Sequence, residues 1–279
     1  MLLDRVKDAL PNLPPSLRRL GETILADYQS VAFMTVSEMS ERVGVSTASV
    51  MRFAREMGFD GFSDFQREIR HLTRKDLRGP DRFQLGQKVY KEDGARLTTH
   101  IEKELENVSA MHKMHDEAAF KRAAEIILGA SQVIAVGGRS TAYLAEHLQF
   151  GLVKTGIPAN LIKNDADEAY QMAASLPQDA CIVVIGFSRY LKSLIEIVRI
   201  ARERGVRIIS VTDSPYSKLA GDVTLVTPVE SVSFMALHAA PLILISALLN
   251  EVSLGDRDRT LSALRWFESY AKEREIFGE

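Results

Sequence analysis

Two stretches of the 279-residue chain carry side chains whose types and spacing suit chemistry, and the first suits an anion. In Val133-Ile-Ala-Val-Gly-Gly-Arg-Ser-Thr141 an apolar run meets a glycine pair and then a helical pattern. The stretch reads as strand, glycine-rich turn and helix start. Glycine lets backbone approach a ligand closely, a helix N-terminus offers unpaired N–H groups, and Ser140 and Thr141 add hydroxyl donors. Gly138, Arg139, Ser140 and Thr141 are therefore candidate ligand-binding residues for a phosphate-like group. The spacing is not Gly-x-Gly-x-x-Gly, which argues against a dinucleotide, and no cofactor is expected.

Further candidates follow the later apolar runs. Gly186-Phe-Ser-Arg-Tyr-Leu-Lys-Ser193 offers Ser188 and Arg189. The guanidinium is a planar fork for phosphate or carboxylate, so Arg189 either keeps phosphate binding or turns the site to a different acid. Arg189 and Tyr190 also read as plain surface residues. In Val211-Thr-Asp-Ser214, Thr212 lies at a strand end, where open parallel sheets hold ligands; a simple turn role is equally open. Glu230 begins the last ligand-side segment and suits a sugar hydroxyl.

A sugar isomerase would need a base beside a carbonyl, and Glu230 and His238 are the residues to weigh for it. His238 lies in an apolar stretch and reads as a packed core histidine. With no paired acid and base, no catalytic residue is assigned. His112 and His115 lack a third ligand of clear spacing, so no metal is expected. Cys181 is the one cysteine and lies in an apolar run, which excludes an intramolecular disulfide and a cysteine-based zinc site.

The second stretch runs from Thr35 to Phe59. Two short amphipathic helices flank Gly44-Val45, where glycine accepts the positive φ that ends a helix, and Ser46 can cap the next one. Val43, Val45, Val50 and Phe53 share an inner face. The outer face presents Thr47, Ala48, Ser49 and Arg52, short polar side chains and an arginine near a helix start, as a helix reading base edges in the major groove requires. Ser46 and Arg55 suit phosphate contacts. From Arg67 to Arg78 the basic residues Arg67, Arg70, Arg74, Lys75 and Arg78 outnumber Glu68 and Asp76, a possible backbone-contacting flank. The alternative is a helical interaction domain that never meets DNA.

The elements that must position these residues fall into two patterns. Before residue 130 only helical periodicity appears, including Leu17, Leu20, Ile24 and Tyr28 on one face and a long helix from about 97 to 128. Beyond it, apolar runs at 132–136, 159–162, 180–185, 206–211 and 222–226 alternate with helical patterns such as 193–204, which predicts a parallel sheet covered by helices. Residues 78–97, with Gly79, Pro80, Gly86 and Gly94, read as a linker. The expected domains are 1–77, helical and DNA-binding, and 98–279, α/β with a C-terminal helix over 256–277 that packs on its own domain or on a partner.

Hydrophobic residues at 46% and charged residues at 26% are ordinary globular composition, and the net charge of −2 means that any DNA-binding charge is local. The N-terminus does not resemble a signal peptide. The apolar stretch 234–249 is interrupted by His238 and Pro241 and falls short of a bilayer span, so a cytoplasmic protein without a membrane partner is expected.

The chain resembles the RpiR-type transcriptional regulators. Over residues 1–77 the likeness rests on Val31-Ala-Phe-Met-Thr-Val-Ser, Gly44-Val-Ser-Thr-Ala-Ser-Val-Met-Arg-Phe and Met57-Gly-Phe-Asp-Gly-Phe-Ser-Asp-Phe65. Residues 110–255 resemble the sugar isomerase (SIS) domain that these regulators carry. The resemblance implies a three-layer α/β fold, a double-stranded DNA operator, a sugar-phosphate effector, a homodimer or homotetramer, and promoter control in carbohydrate or central carbon metabolism. SIS domains usually carry a Ser-x-Ser-Gly-x-Thr type loop after the third strand. Here Ser188 matches a serine, Arg189 stands where a glycine is usual, and no threonine matches. The competing readings are a phosphosugar isomerase with an accessory helical domain and a sugar-phosphate module that regulates a partner protein by contact.

Overall fold

Proline opens the first long helix, where its missing N–H costs nothing. This helix, α2 (Pro15–Val31), buries Leu17, Leu20 and Ile24, with Tyr28 half-buried beside them. It follows a short α1 (Leu2–Ala9), which buries Leu2 and Val6. The computed structural model describes residues 2–76, 80, 83–84, 96–163, 170–171, 175–231, 235–236 and 238–278. They form two compact units, Met1–Gly79 and Pro80–Glu279. The expected linker 78–97 lies almost wholly outside the described residues.

Three more helices complete the first unit. In α3 (Val36–Val43), Thr35 Oγ1 accepts from Glu38 N at 3.2 Å, and the Glu38 carboxylate accepts from Thr35 N at 2.6 Å. This reciprocal cap satisfies two orphan donors. Gly44 ends α3 at φ 68°. Then come α4 (Thr47–Glu56) and α5 (Phe62–Asp76). Phe53 and Phe59 both meet the Phe65 ring edge-on, at 5.6 and 5.4 Å, which locks α4 and α5 together.

The second unit begins with α6 (Arg96–Met114) and α7 (Glu117–Gly129). One long helix was expected here. The Asp116 carboxylate accepts from Ala118 N at 2.9 Å and Ala119 N at 3.0 Å, so it caps a new helix rather than continuing the old one.

The five expected strands are present: β1 (Val133–Gly137), β2 (Ala159–Lys163), β3 (Cys181–Ile185), β4 (Arg207–Thr212) and β5 (Val223–Val226). All pairings are parallel, in the order β2-β1-β3-β4-β5. Every residue of β1 and β3 is buried, as strands covered on both faces must be.

Alternate strand residues serve two cores. Val133, Ala135, Val183 and Ile185 pack with α7, α8 (Ala142–Lys154) and α10 (Ala239–Gly255). Ile134, Val136, Ile182 and Val184 pack with α9 (Lys192–Glu203) on the other face. The result is the expected three-layer α/β unit. The final helix, α11 (Arg257–Glu273), turns 104° away from α10. Among the described residues no single helix is long and apolar enough to cross a membrane.

Candidate functional site

The connection from β1 goes outward to β2, and the chain then returns to pair β3 on the other side of β1. The strand order therefore reverses between β1 and β3, and it is outside the carboxyl ends of the strands at such a reversal that open parallel sheets form a ligand crevice. Those ends carry the two predicted loops. Gly137 stands opposite Ile185 in register, so Arg139 and Ser140 leave the sheet beside Ser188 and Arg189.

The first loop is tightly built. A Cβ on Gly137 would lie 2.5 Å from the Thr141 carbonyl oxygen, so only glycine fits. A short 3-10 turn, Arg139–Thr141, precedes α8. Arg139 and Ser140 are exposed, and Arg139 has φ 55°. The expectation that Thr141 offers its hydroxyl to a ligand is corrected. Thr141 is buried, and its hydroxyl donates to Ile185 O at 2.8 Å, with Gly138 O a second acceptor at 3.1 Å. It ties the first loop to the end of β3.

In the second loop Arg189 is exposed at φ 69°. A left-handed backbone is the conformation glycine adopts without strain and other L-residues resist. The arginine has therefore taken a glycine's backbone geometry and added a cation. Ser188 is half-buried, and its hydroxyl and N–H both donate to the Asp213 carboxylate. As a ligand donor Ser188 is thus already engaged.

Asp213, at the end of β4, was not singled out from the sequence. It also accepts from the Tyr190 hydroxyl at 2.7 Å. Burial, reinforced by the Asp213 charge, pushes the Tyr190 phenol up to about 12, so it stays a donor. Thr212 is fully buried and reaches Asp213 Oδ1 at 3.4 Å, which places it behind the site surface. The signal for Asp213 was its place directly after a strand, at the carboxyl-end edge of the sheet.

Glu230 lies on the segment that crosses from β5 to α10. Asn107 fixes its backbone, accepting from Glu230 N and donating to Glu230 O, both at 2.9 Å. At the end of that segment the His238 ring lies 5.5 Å from Tyr143 and 5.6 Å from Phe187, so it packs against residues flanking both loops. The Tyr143 hydroxyl and His238 Nδ1 share a hydrogen bond, and burial pulls His238 down to about 4, which favours the neutral ring. His112 and His115 stack, and among the described residues no cluster can hold a metal.

The other candidate surface is α4. Val50, Phe53 and Ala54 are buried, while Thr47, Ala48, Arg52 and Arg55 are exposed. Ser46 caps the helix by accepting from Ser49 N at 3.2 Å, and the two hydroxyls lie 3.0 Å apart. Ser46 thus shapes the helix start first. Arg52 lies 3.9 Å from Glu56, a loose exposed pair that leaves the guanidinium available.

In the basic flank, the two cations whose side chains are described have protein partners. Arg70 is half-buried and donates to Ala32 O at 2.8 Å, and Arg67 is paired with Asp64. The side chains of Arg74 and Lys75, and the whole of Arg78, lie outside the described residues.

Comparison with known proteins matches residues 1–74 to the helix-turn-helix domain of the rpiR family and residues 126–251 to the SIS domain. The transcriptional regulator HexR of Escherichia coli is 26% identical over 227 residues, covering 80% of this chain and 76% of HexR. An RpiR transcription factor sugar isomerase domain from Sphaerobacter thermophilus superposes with TM-score 0.61 at 25% identity, covering 63% of this chain and 99% of that one. The NanR protein of Vibrio vulnificus, solved with ManNAc-6P, superposes over the full length of both chains with TM-score 0.63 at 18% identity. By its two domains, the chain belongs to the RpiR-type transcriptional regulators: an rpiR-family helix-turn-helix domain followed by a SIS domain.

Proposed function

We propose that this regulator binds a sugar phosphate, or a related small phosphorylated or acidic metabolite, at the β1–β3 crevice, and that occupancy changes its affinity for operator DNA. The observation that carries the reading is the pair of arginines, Arg139 and Arg189, both in left-handed backbone at adjacent strand ends. Strained backbone clusters where it serves a ligand. Ser140 is exposed beside them, and Glu230 supplies an acceptor for sugar hydroxyls. NanR, which shares this fold over its full length, was solved in complex with ManNAc-6P, which supports the ligand class. DNA is read by Thr47, Ala48, Ser49 and Arg52, with Arg55 and the start of α4 at Ser46 on phosphates. The work is done in the cytoplasm, where the DNA is.

The chain acts as a homodimer or homotetramer. Between α8 and α11 a groove of about 550 Å³ is lined by Phe150, Val153, Trp266 and Phe267. Phe150 and Trp266 are 60% and 67% exposed, large apolar side chains that a partner surface would cover. A second copy covers it, and two-fold pairing matches a near-palindromic operator. Isomerase turnover is not expected, because burial weakens His238 as a base and its Nδ1 is already engaged by the Tyr143 hydroxyl.

Selection of genomic fragments by the full chain, alongside an NMR assay for ketose–aldose conversion of sugar phosphates, tests this reading. Enrichment of a shared near-palindromic sequence without turnover is expected. Turnover abolished by Glu230→Gln would establish the isomerase instead. An intact fold that selects no fragment would favour control of a partner protein.

A further inference from the structure

The helix that leads into the SIS domain is held to it in an unusual way. On α6 the buried residues are Asn107 and Met111 alone, while Leu97, Ile101 and Leu105 face outward at 49–73% exposure. Apolar burial therefore does little to fix the first half of α6. Polar bonds do the fixing, and they all go to one segment. Met111 Sδ accepts from Thr227 Oγ1 at 3.5 Å. Asn107 pairs with both backbone groups of Glu230. The Glu104 carboxylate accepts from His238 N and Ala239 N at 3.2 Å, capping α10 from outside its own sequence.

Glu104, Asn107 and Met111 lie three and four apart and so share one helix face. Their partners run from the end of β5 to the start of α10 along the ligand-side edge of the sheet. His238, at the end of that run, touches Tyr143 beside the first loop and Phe187 beside the second. A continuous path of contacts thus joins both anion loops to α6, the first described helix after the segment that connects the two units.

We propose that Glu104 and Asn107 are the residues through which occupancy of the β1–β3 crevice is passed to α6, and from there toward the DNA-binding unit. The proposal rests on the sensing role given to that crevice above. Ligand drawn against Glu230 or the loops fixes the crossing segment. The fixed segment then holds α6 through its two polar clasps. A helix held by few buried apolar contacts sits at the low end of local stability, so small differences in clasp strength change its opening. Coupling then needs only that ligand bind the clasped arrangement more tightly than the unclasped one.

Hydrogen–deuterium exchange on the full chain tests this, with inorganic phosphate, glucose 6-phosphate and fructose 6-phosphate as probes. In the unmodified protein the effective probe should slow exchange in residues 137–141 and 186–190 and in α6, the last by about tenfold or more. In Glu104→Ala the loops should remain protected by the probe while α6 loses its response. Asn107→Ser, a smaller buried change, serves as the second variant, since Asn107→Ala leaves two backbone groups unpaired and threatens the fold. Protection of α6 that survives both variants overturns the proposal, as does loop protection with no α6 response in the unmodified chain. If no probe protects either loop, the sensing reading itself fails, and this coupling fails with it.

Discussion

Ser188 donates its backbone N–H, at 3.0 Å, and its hydroxyl to the Asp213 carboxylate, so the loop after β3 is fastened to the end of β4. With Tyr190 on the other oxygen, one carboxylate sets the shape of the loop that carries Arg189. Asp213→Asn should therefore weaken effector binding although Asp213 is not itself a donor to an anion. A loss of about 1–3 kcal/mol, roughly 5- to 150-fold in affinity, is expected by calorimetry. The phenol of Tyr190 should also ionise at somewhat lower pH, since burial still raises it but the added effect of the Asp213 charge is gone, and Tyr190→Phe identifies its step in an ultraviolet titration. Unchanged affinity and an unchanged phenol would remove Asp213 from the loop's support.

Arg189→Gly separates strain from charge. Glycine takes φ 69° freely, so the folded state should gain about 1 kcal/mol in urea unfolding. Affinity for the effector should fall in the same variant, because the cation is lost. Gains in both, or losses in both, would contradict the assignment of Arg189 as a ligand contact in a glycine's conformation.

Arg52 and Arg70 should behave oppositely. Arg52→Ala, on the exposed face of α4, is expected to reduce discrimination between operator and random DNA by about 1–3 kcal/mol with little change in stability. Arg70→Ala removes a half-buried donor from Ala32 O and should lower stability while leaving discrimination intact. Equal losses on both DNAs for Arg52→Ala would place that side chain on phosphate.

The contrast between these two arginines shows what the sequence could and could not reveal. Arg70 belongs to a basic run that looks like a DNA flank, yet it lies one helical turn from buried Gln66 and reaches back to α2's end. That contact spans 38 residues and leaves no local mark. The strands were legible because Ala180–Ile185 and Val206–Val211 are apolar runs bounded by polar turns, and the glycine loops were legible because of their place at strand ends. The break at Asp116 was hidden, since the apolar pattern continues through it and only a side-chain bond decides the boundary. Glu104 and His238, 134 residues apart, meet only through the fold.

His238 should make stability depend on pH in the acid range. Burial lowers its pKa from 6.5 to about 4, so below pH 6.5 the unfolded chain takes up a proton that the folded chain refuses. Stability is fully present above pH 6.5 and is lost as pH falls toward 4. Between pH 6.5 and 5 the His238 share is at most about 2 kcal/mol. Urea unfolding of the wild type and of His238→Gln at pH 7 and pH 5 should show a smaller loss in the variant. Identical losses would mean that the ring is solvated enough to protonate.

Ligand control of DNA binding is tested most directly by fluorescence anisotropy of the full chain on a selected operator fragment, titrated with sugar phosphates and related acids. One phosphorylated or acidic compound should change operator affinity by about 5- to 150-fold, and Ser140→Ala should reduce that response while leaving ligand-free DNA binding intact. Specific DNA binding that none of these compounds shifts would contradict the sensing role of the β1–β3 crevice.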